Sequence, residues 1–486
     1  MKPLASVKIP STVLAAALLV GGCSYEPPAG IPLSDVNLAT LGKSATVLVE
    51  NRIEVDITMP EMSFDAGRAK TLLDRTVAEN PSVGGEEIVN LFLRSLFENL
   101  DGYYELSPGE AKTFRSVSHG SGFFVTGDGY LLTNAHVVEQ SPEDLQTSYL
   151  AERIPTLVQE IRRSFGADSA PVVRWFESEA NKKLVVTALL RLVLSGMKSS
   201  EPKVSLSVMD PAGEAGTAAK PNLIPARLVP GGTGKGVIGE KDVAVLKAEG
   251  SGFYSIPLAD ESPKVQENVF AVGFPGGADG GGDGRTFDPN ERPAATVTEG
   301  KVNALKTVKS GDWAAIEISA VIRHGNSGGP LLNGKGEAVG FSTFYEGDAT
   351  QDAVHYYALP ISVGKEFLEK TSVDAQPSGP ARRLRHALVY AESGRYRRAE
   401  SELQTILAER PRDAIAAAEL ETVRGHLKAG EDPAYRDYVP WAAGAGILVL
   451  GAVGFSRRGR RPSAPKALKS APVATPSQSP APAPPT

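Results

Sequence analysis

The spacing of hydrophobic positions changes several times along the chain. After a loop rich in Pro and Gly, Ser44 to Glu50 reads as a strand from the run Ala45-Thr46-Val47-Leu48-Val49. Residues 51–117 then carry helical spacing twice, around Ala66 to Ala78 and Glu86 to Leu100, and read as a long insertion. From Phe123 the pattern turns to strands. Phe123-Phe124-Val125, the Asp128-Gly129 turn and Tyr130-Leu131-Leu132-Thr133 form a hairpin signature, because Asp-Gly accommodates the positive φ angles of tight hairpin turns. A second insertion, residues 141–200, places Leu150, Ile154, Leu157, Ile161 and Phe165 on one helix face. Its other apolar run, Leu184 to Met197, is interrupted by Arg191 and is too short for a membrane span. A helical pair packed on the strands and a lid over a cleft are both consistent with this pattern. Strand-like runs resume at Val243 to Leu246, Trp313 to Ile322 and Ala338 to Phe344.

Both ends of the chain differ from this middle. In residues 378–428, Gly394, Tyr396, Ala399, Leu403, Leu407 and Pro411 are spaced as in a single tetratricopeptide repeat between two further helical runs. One repeat cannot bury its apolar face, so the segment is expected to pack on the rest of the chain or on another copy. Peptide binding and plain helix packing would give the same pattern. The uncharged run 439–455 lies between Tyr438 and Trp441 on one side and Arg457, Arg458, Arg460 and Arg461 on the other, which suits a short transmembrane helix with its basic end in the cytoplasm; a buried core helix is the alternative. Pro462 to Thr486 is rich in Pro, Ala and Ser, the composition of a disordered tail. At the other end, Lys2, Lys8, the apolar stretch Val13 to Val20 and the small residues Gly21 and Gly22 have the layout of an export signal over residues 1–23. Val20-Gly21-Gly22-Cys23 resembles a bacterial lipobox, which would make Cys23 a lipidated N-terminus. Simple cleavage and an uncleaved anchor remain alternatives. Together these ends place the chain in a bacterial envelope, held at the inner membrane, with its middle facing the periplasm or the outside.

Composition removes several other functions. The 486 residues, 41% of them apolar and 22% charged, fit a globular protein of about one to three domains. A net charge of -6 without a long basic run argues against nucleic acid as the main partner. The single cysteine cannot form an internal disulfide. In the glycine-rich stretch 276–293, Asp279 and Asp283 lack an oxygen ligand at the third loop position and Asn290 holds the twelfth, so calcium is not expected. The glycines near Lys43 and Lys235 fail the phosphate-loop spacing. No metal or organic cofactor is therefore expected.

The chemistry centres on Gly325-Asn326-Ser327-Gly328-Gly329-Pro330, which follows the Trp313 to Ile322 run. A serine hydroxyl becomes a nucleophile only with an adjacent base and with N–H groups to hold the developing oxyanion, and flanking glycines allow that tight backbone. His136 ends the hairpin in Thr133-Asn134-Ala135-His136-Val137-Val138, and Asp242 opens the strand Val243-Ala244-Val245-Leu246. Each residue alone is more often structural. The order His, Asp, Ser beside three strand signals is that of chymotrypsin-like enzymes. An α/β-hydrolase elbow also shows G-x-S-x-G, but it needs a helix after the serine, and here Pro330, Asn333, Gly334 and Gly336 break any helix.

These motifs resemble the trypsin-like peptidases of the HtrA (Deg) type. Gly120-Ser121-Gly122-Phe123 through Val138 is similar to that family's histidine motif, Asp242 to Lys247 to its aspartate motif, and Gly325 to Leu332 to its serine motif. Val269 to Pro275, Val297 to Val302 and Tyr357 to Ile361 fall where the family has matching strands. The resemblance implies a mainly β protein, with two perpendicular six-stranded barrels and the site between them, carrying helical insertions and filling about residues 35–372. It implies Ser327 as nucleophile, His136 as base, Asp242 as its orienting carboxylate, and the N–H groups of Gly325 and Ser327 as oxyanion hole. It also implies protein or peptide substrates and assembly as trimers. The PDZ domains common in that family are replaced here by the repeat-like helices. A catalytically silent barrel that binds partners through its helices is the competing expectation.

Overall fold

The computed structural model describes residues 32–165, 169–212, 222–236, 240–276, 293–309, 312–346 and 354–432. The export signal at 1–23 with Cys23, most of the glycine-rich stretch (277–292), the run 439–455 and the tail lie outside the described residues. The described residues up to Ala429 form one compact unit.

Helix α1 (Asp35–Ala45) opens this unit, capped by the Ser34 hydroxyl, which accepts from the Asn37 N–H. The strand expected from Ser44 therefore begins two residues later, at Thr46, and runs on into the first insertion: β1 is Thr46–Thr58. Strand β2 (Glu61–Phe64), helices α2 (Ala66–Glu79) and α3 (Gly85–Glu98), and β3 (Tyr104–Ser107), which pairs with β2, follow. Then β4 (Ala111–Phe124) returns antiparallel to β1 along its whole length, from Thr46 opposite Phe123 to Thr58 opposite Ala111. The insertion at 51–117 thus stands on extensions of two barrel strands. Next come β5 (Tyr130–Thr133), the helical turn α4 (Ala135–Val138), and the second insertion. That insertion contains three helices instead of a pair: α5 (Pro142–Ser164), α6 (Ala170–Glu177) and α7 (Glu179–Gly196). A capping box at Ser141 and Asp144 starts α5.

β6 (Lys198–Ser199), β7 (Lys203–Met209), β8 (Leu223–Thr233) and β9 (Ala244–Ala248) complete the first sheet. Its order is β4-β5-β9-β8-β7-β1, with β1 and β4 also paired, so six strands close into a barrel. A second closed barrel is formed by β10 (Asn268–Gly273), β11 (Thr296–Thr307), β12 (Ala314–Ile318), β15 (His355–Pro360), β14 (Ala338–Glu346) and β13 (Pro330–Leu332), in that spatial order. Four more helices follow: α8 (Ile361–Lys370), α9 (Gly379–Glu392), α10 (Tyr396–Glu409) and α11 (Ala414–Lys428). None of the described helices is long and apolar enough to cross a membrane.

Alternate residues of the barrel strands enter different cores, which is why the strands read as continuous apolar runs. Val47, Val49, Ala244 and Leu246 share one core, while Leu48, Phe123, Leu132 and Val245 belong to another. The second of these continues through Phe270, Val272 and Phe341 of the other barrel to Leu384, Leu388, Leu403, Ile406 and Leu420 of α9–α11. The repeat-like helices therefore share a core with the barrels. Polar contacts reinforce this. Arg410 pairs with Asp413 at 2.9 Å and Asp210 at 3.4 Å, donates to the Gly252 carbonyl, and lies 5.3 Å from the Tyr254 ring centroid. Burial, then the charge of Asp413, pushes the Tyr254 phenol far above its ordinary range. Helix α1 contacts the same helices, with Ser34 N–H donating to Glu392 and the Thr40 hydroxyl to Glu419.

The two insertions meet in a separate core. Phe97 and Leu96 of α3 pack with Leu150, Leu157 and Ile161 of α5, Trp175 and Phe176 of α6, and Leu189 and Val193 of α7, together with Ile53, Val55 and Ile57 from the far half of β1. Phe97, fully buried, stacks on Trp175 at 5.4 Å and meets Phe176 edge-on at 5.8 Å. Neither insertion could bury its apolar face alone, so removing one would expose the other. Truncating the central ring tests this interdependence. Phe97→Ala is expected to destabilise the helical module by about 3 to 5 kcal/mol, read by urea unfolding followed through tryptophan fluorescence; a loss below about 1 kcal/mol would show that the insertions hold separately.

Candidate active site

His136 sits in the short turn after β5, and the structure brings it onto Asp242 at the entrance to β9. The imidazole Nδ1 lies 2.6 Å from Asp242 Oδ2, and the His136 backbone N–H donates to Oδ1 at 3.0 Å. With Nδ1–H given to the carboxylate, the neutral ring keeps its lone pair on Nε2. The histidine side chain is 39% exposed and the aspartate 8%. Asn134 holds the Asp242 carbonyl at 2.7 Å, and Asn51 of β1 donates to the Val137 carbonyl at 3.2 Å, fixing the turn from behind.

The same carboxylate receives a third bond, from the Thr343 hydroxyl at 2.9 Å. Thr343 lies in β14 of the second barrel, and its carbonyl accepts from the Ser327 hydroxyl at 3.1 Å. Thr343, which the sequence placed only in the strand-like run Ala338 to Phe344, thereby links Asp242 to the Ser327 hydroxyl. Ser327 directs its hydroxyl to Thr343 in this conformation, and among the described residues it makes no bond to His136. In unliganded sites the bond between nucleophile and base is often absent or loose.

Backbone geometry around Ser327 depends on glycine. Gly325 and Gly328 have φ of +94° and +86°, the left-handed region where a Cβ is strained. At Gly328 a Cβ would also lie 2.1 Å from the Ser121 carbonyl oxygen. Three consecutive peptide groups are pinned through their carbonyls. The His324 carbonyl accepts from Gly276 N–H at 2.8 Å, the Gly325 carbonyl from the Ser121 hydroxyl at 2.6 Å, and the Asn326 carbonyl from Gly329 N–H at 3.0 Å. In a planar trans peptide the N–H points opposite to the C=O. The N–H groups of Gly325 and Ser327 consequently have no acceptor among the described residues, and two such donors beside a hydroxyl suit a developing oxyanion.

Charges around the site are few. Lys241, next to Asp242, pairs with Glu366 of α8 at 2.7 Å and Asp312 at 2.9 Å, and these carboxylates hold its ammonium above the ordinary lysine range. Burial pushes the Glu139 carboxyl up, partly offset by a bond with Thr233. No group of acidic, histidine or cysteine side chains suited to a metal ion occurs among the described residues.

Two six-stranded barrels thus carry a bonded histidine–aspartate pair and a glycine-cradled serine. Residues 120–341 match the family described as Trypsin-like peptidase domain. The chain is similar to a probable periplasmic serine endoprotease DegP-like of Pseudomonas putida, 26% identical over 345 residues, covering 70% of this chain and 53% of the relative. It is also similar to the chloroplastic Protease Do-like 2 of Arabidopsis thaliana, 31% identical over 135 residues, covering 26% of this chain and 20% of that one. A solved structure of the serine endoprotease from Yersinia pestis overlays with TM-score 0.33 at 17% identity, over 70% of this chain and 67% of that one. The chain spans about half the length of the DegP-like relatives it matches.

One contact gives a direct check on the histidine. Gly236, in the loop after β8, lies so close that a Cβ there would come within 2.8 Å of the His136 nitrogen and 2.9 Å of its Cα. Gly236→Ala is therefore expected to push the turn off Asp242, shifting or erasing the downfield imidazole Nδ1 proton resonance while leaving the melting midpoint nearly unchanged. A preserved resonance would show that the loop yields instead.

Proposed function

We propose that this protein is an HtrA-like serine endopeptidase of the bacterial envelope that cuts peptide bonds of exported or envelope proteins, in quality control or regulated proteolysis. The observation that carries the reading is the His136–Asp242 bond, closed by Thr343 onto the Ser327 loop inside a trypsin-like domain. Ser327 attacks the scissile carbonyl after its hydroxyl turns from Thr343 to Nε2 of His136. His136 takes that proton and passes it to the leaving amine, and Asp242 holds the imidazole and stabilises its charged form. The N–H groups of Gly325 and Ser327 receive the oxyanion, a contribution of about 3 to 4 kcal/mol in comparable sites. No step calls for a metal or cofactor. The sequence adds an anchor at the inner membrane through 439–455, an export signal with lipidation at Cys23, and trimeric assembly by resemblance. The repeat-like helices, sharing their core with the barrels, serve first as structural support.

One observation favours the competing reading of a silent scaffold: the Ser327 hydroxyl is engaged by the Thr343 carbonyl. A serine-directed fluorophosphonate separates the two. The peptidase labels at Ser327 and degrades unfolded casein, and Ser327→Ala lowers that hydrolysis at least about ten-thousand-fold with an unchanged melting transition. Wild-type protein that neither labels nor cleaves is the scaffold.

A further inference from the structure

Ser121 takes part in none of the steps above, yet it binds the nucleophile's loop more closely than any triad member does. It lies in β4 between Gly120 and Gly122, fully buried. Its N–H donates to the Ser327 carbonyl at 2.8 Å, and its own carbonyl accepts from the Thr133 hydroxyl at 2.7 Å. Its hydroxyl donates to the Gly325 carbonyl at 2.6 Å and accepts from the Phe274 N–H at 2.9 Å. One side chain of the first barrel thus ties together the serine loop and the end of β10 in the second.

The position of these bonds gives them a chemical consequence. The Gly325–Asn326 peptide stands between the two N–H groups assigned to the oxyanion. Its N–H is spent on the Arg323 carbonyl at 3.0 Å, and its C=O is held by Ser121. Gly325 has no Cβ and a φ of +94°, so nothing in the residue itself prevents that peptide from turning over. The Gly325 N–H and C=O meet at one Cα, so the bond that fixes the carbonyl limits the joint rotation about that Cα by which the N–H donor would leave the pair. The flanking glycines allow the approach. A Cβ at Gly120 would come 2.6 Å from Val137 side-chain atoms, and one at Gly122 would meet the Leu132 carbonyl at 3.0 Å. We infer that Ser121 is a positioning residue that holds the Gly325–Asn326 peptide in the orientation an oxyanion hole requires. The inference rests on the serine peptidase reading above.

The test compares variants of equal bulk. Ser121→Thr keeps the hydroxyl and Ser121→Val replaces it with a methyl, so any steric disturbance is common to both. Hydrolysis of a short chromogenic peptide should fall about ten- to a hundredfold in kcat for Val relative to Thr, with KM nearly unchanged. The acidic limb of the pH profile should stay in place, because His136 and Asp242 are untouched. The inhibition constant of a peptide aldehyde, whose adduct places an oxyanion in the hole, should rise by the same factor as kcat falls. Ser121→Ala should behave like Val. Equal activity of Thr and Val, or a loss confined to KM, would overturn the assignment. If instead the wild type itself neither cleaves nor labels with fluorophosphonate, the peptidase reading has failed, and that outcome is distinct.

Discussion

The structure depends on where it buries the Asp242 carboxylate. A charge taken out of water is costly unless hydrogen bonds replace its hydration, and Asp242, with 8% of its side chain exposed, is supplied by the His136 N–H, the His136 imidazole and the Thr343 hydroxyl. These donors come from a turn of the first barrel and a strand of the second. Satisfying the charge therefore requires the barrels to approach in one arrangement, in which Thr343 also holds the Ser327 hydroxyl. What stabilises a buried charge and what assembles a site are here the same bonds.

The side chains the sequence proposes for the site sit inside short local patterns. The hairpin around Asp128-Gly129 fixes where β5 ends, and hence where His136 stands. Glycines around Ser327 announce a backbone that only they can adopt. Thr343, Ser121 and Gly236 were not legible as site residues, because their roles arise from segments distant in sequence. Thr343 bonds a residue 101 positions away, and Ser121 one 204 positions away. No spacing rule connects such pairs. Each is a consequence of the barrels meeting.

Helices show the same division. The periodicity around Ala66 to Ala78 and Leu150 to Phe165 reported helices that exist. Periodicity cannot name the partner of an apolar face, so the merger of the two insertions into one core stayed hidden. Helix α1 escaped notice for another reason. Its segment ends in Gly42, Lys43 and Ser44, poor helix formers or polar residues, and Gly42 is required because a Cβ there would lie 2.9 Å from Val272 and 3.0 Å from Leu332. Close packing on the second barrel, not helix propensity, decides that element.

The long strand β1 joins these observations. Its first half contributes Val47, Leu48 and Val49 to the barrel, Asn51 anchors the turn of His136 through the Val137 carbonyl, and Ile53, Val55 and Ile57 enter the core of the helical module. On the other side of His136, α5 begins at Pro142 and packs into that same module. The histidine turn is thus held at both ends by elements rooted in the insertions. The insertions leave the barrel from the strand behind His136 and from the turn after it, so both connections reach that turn.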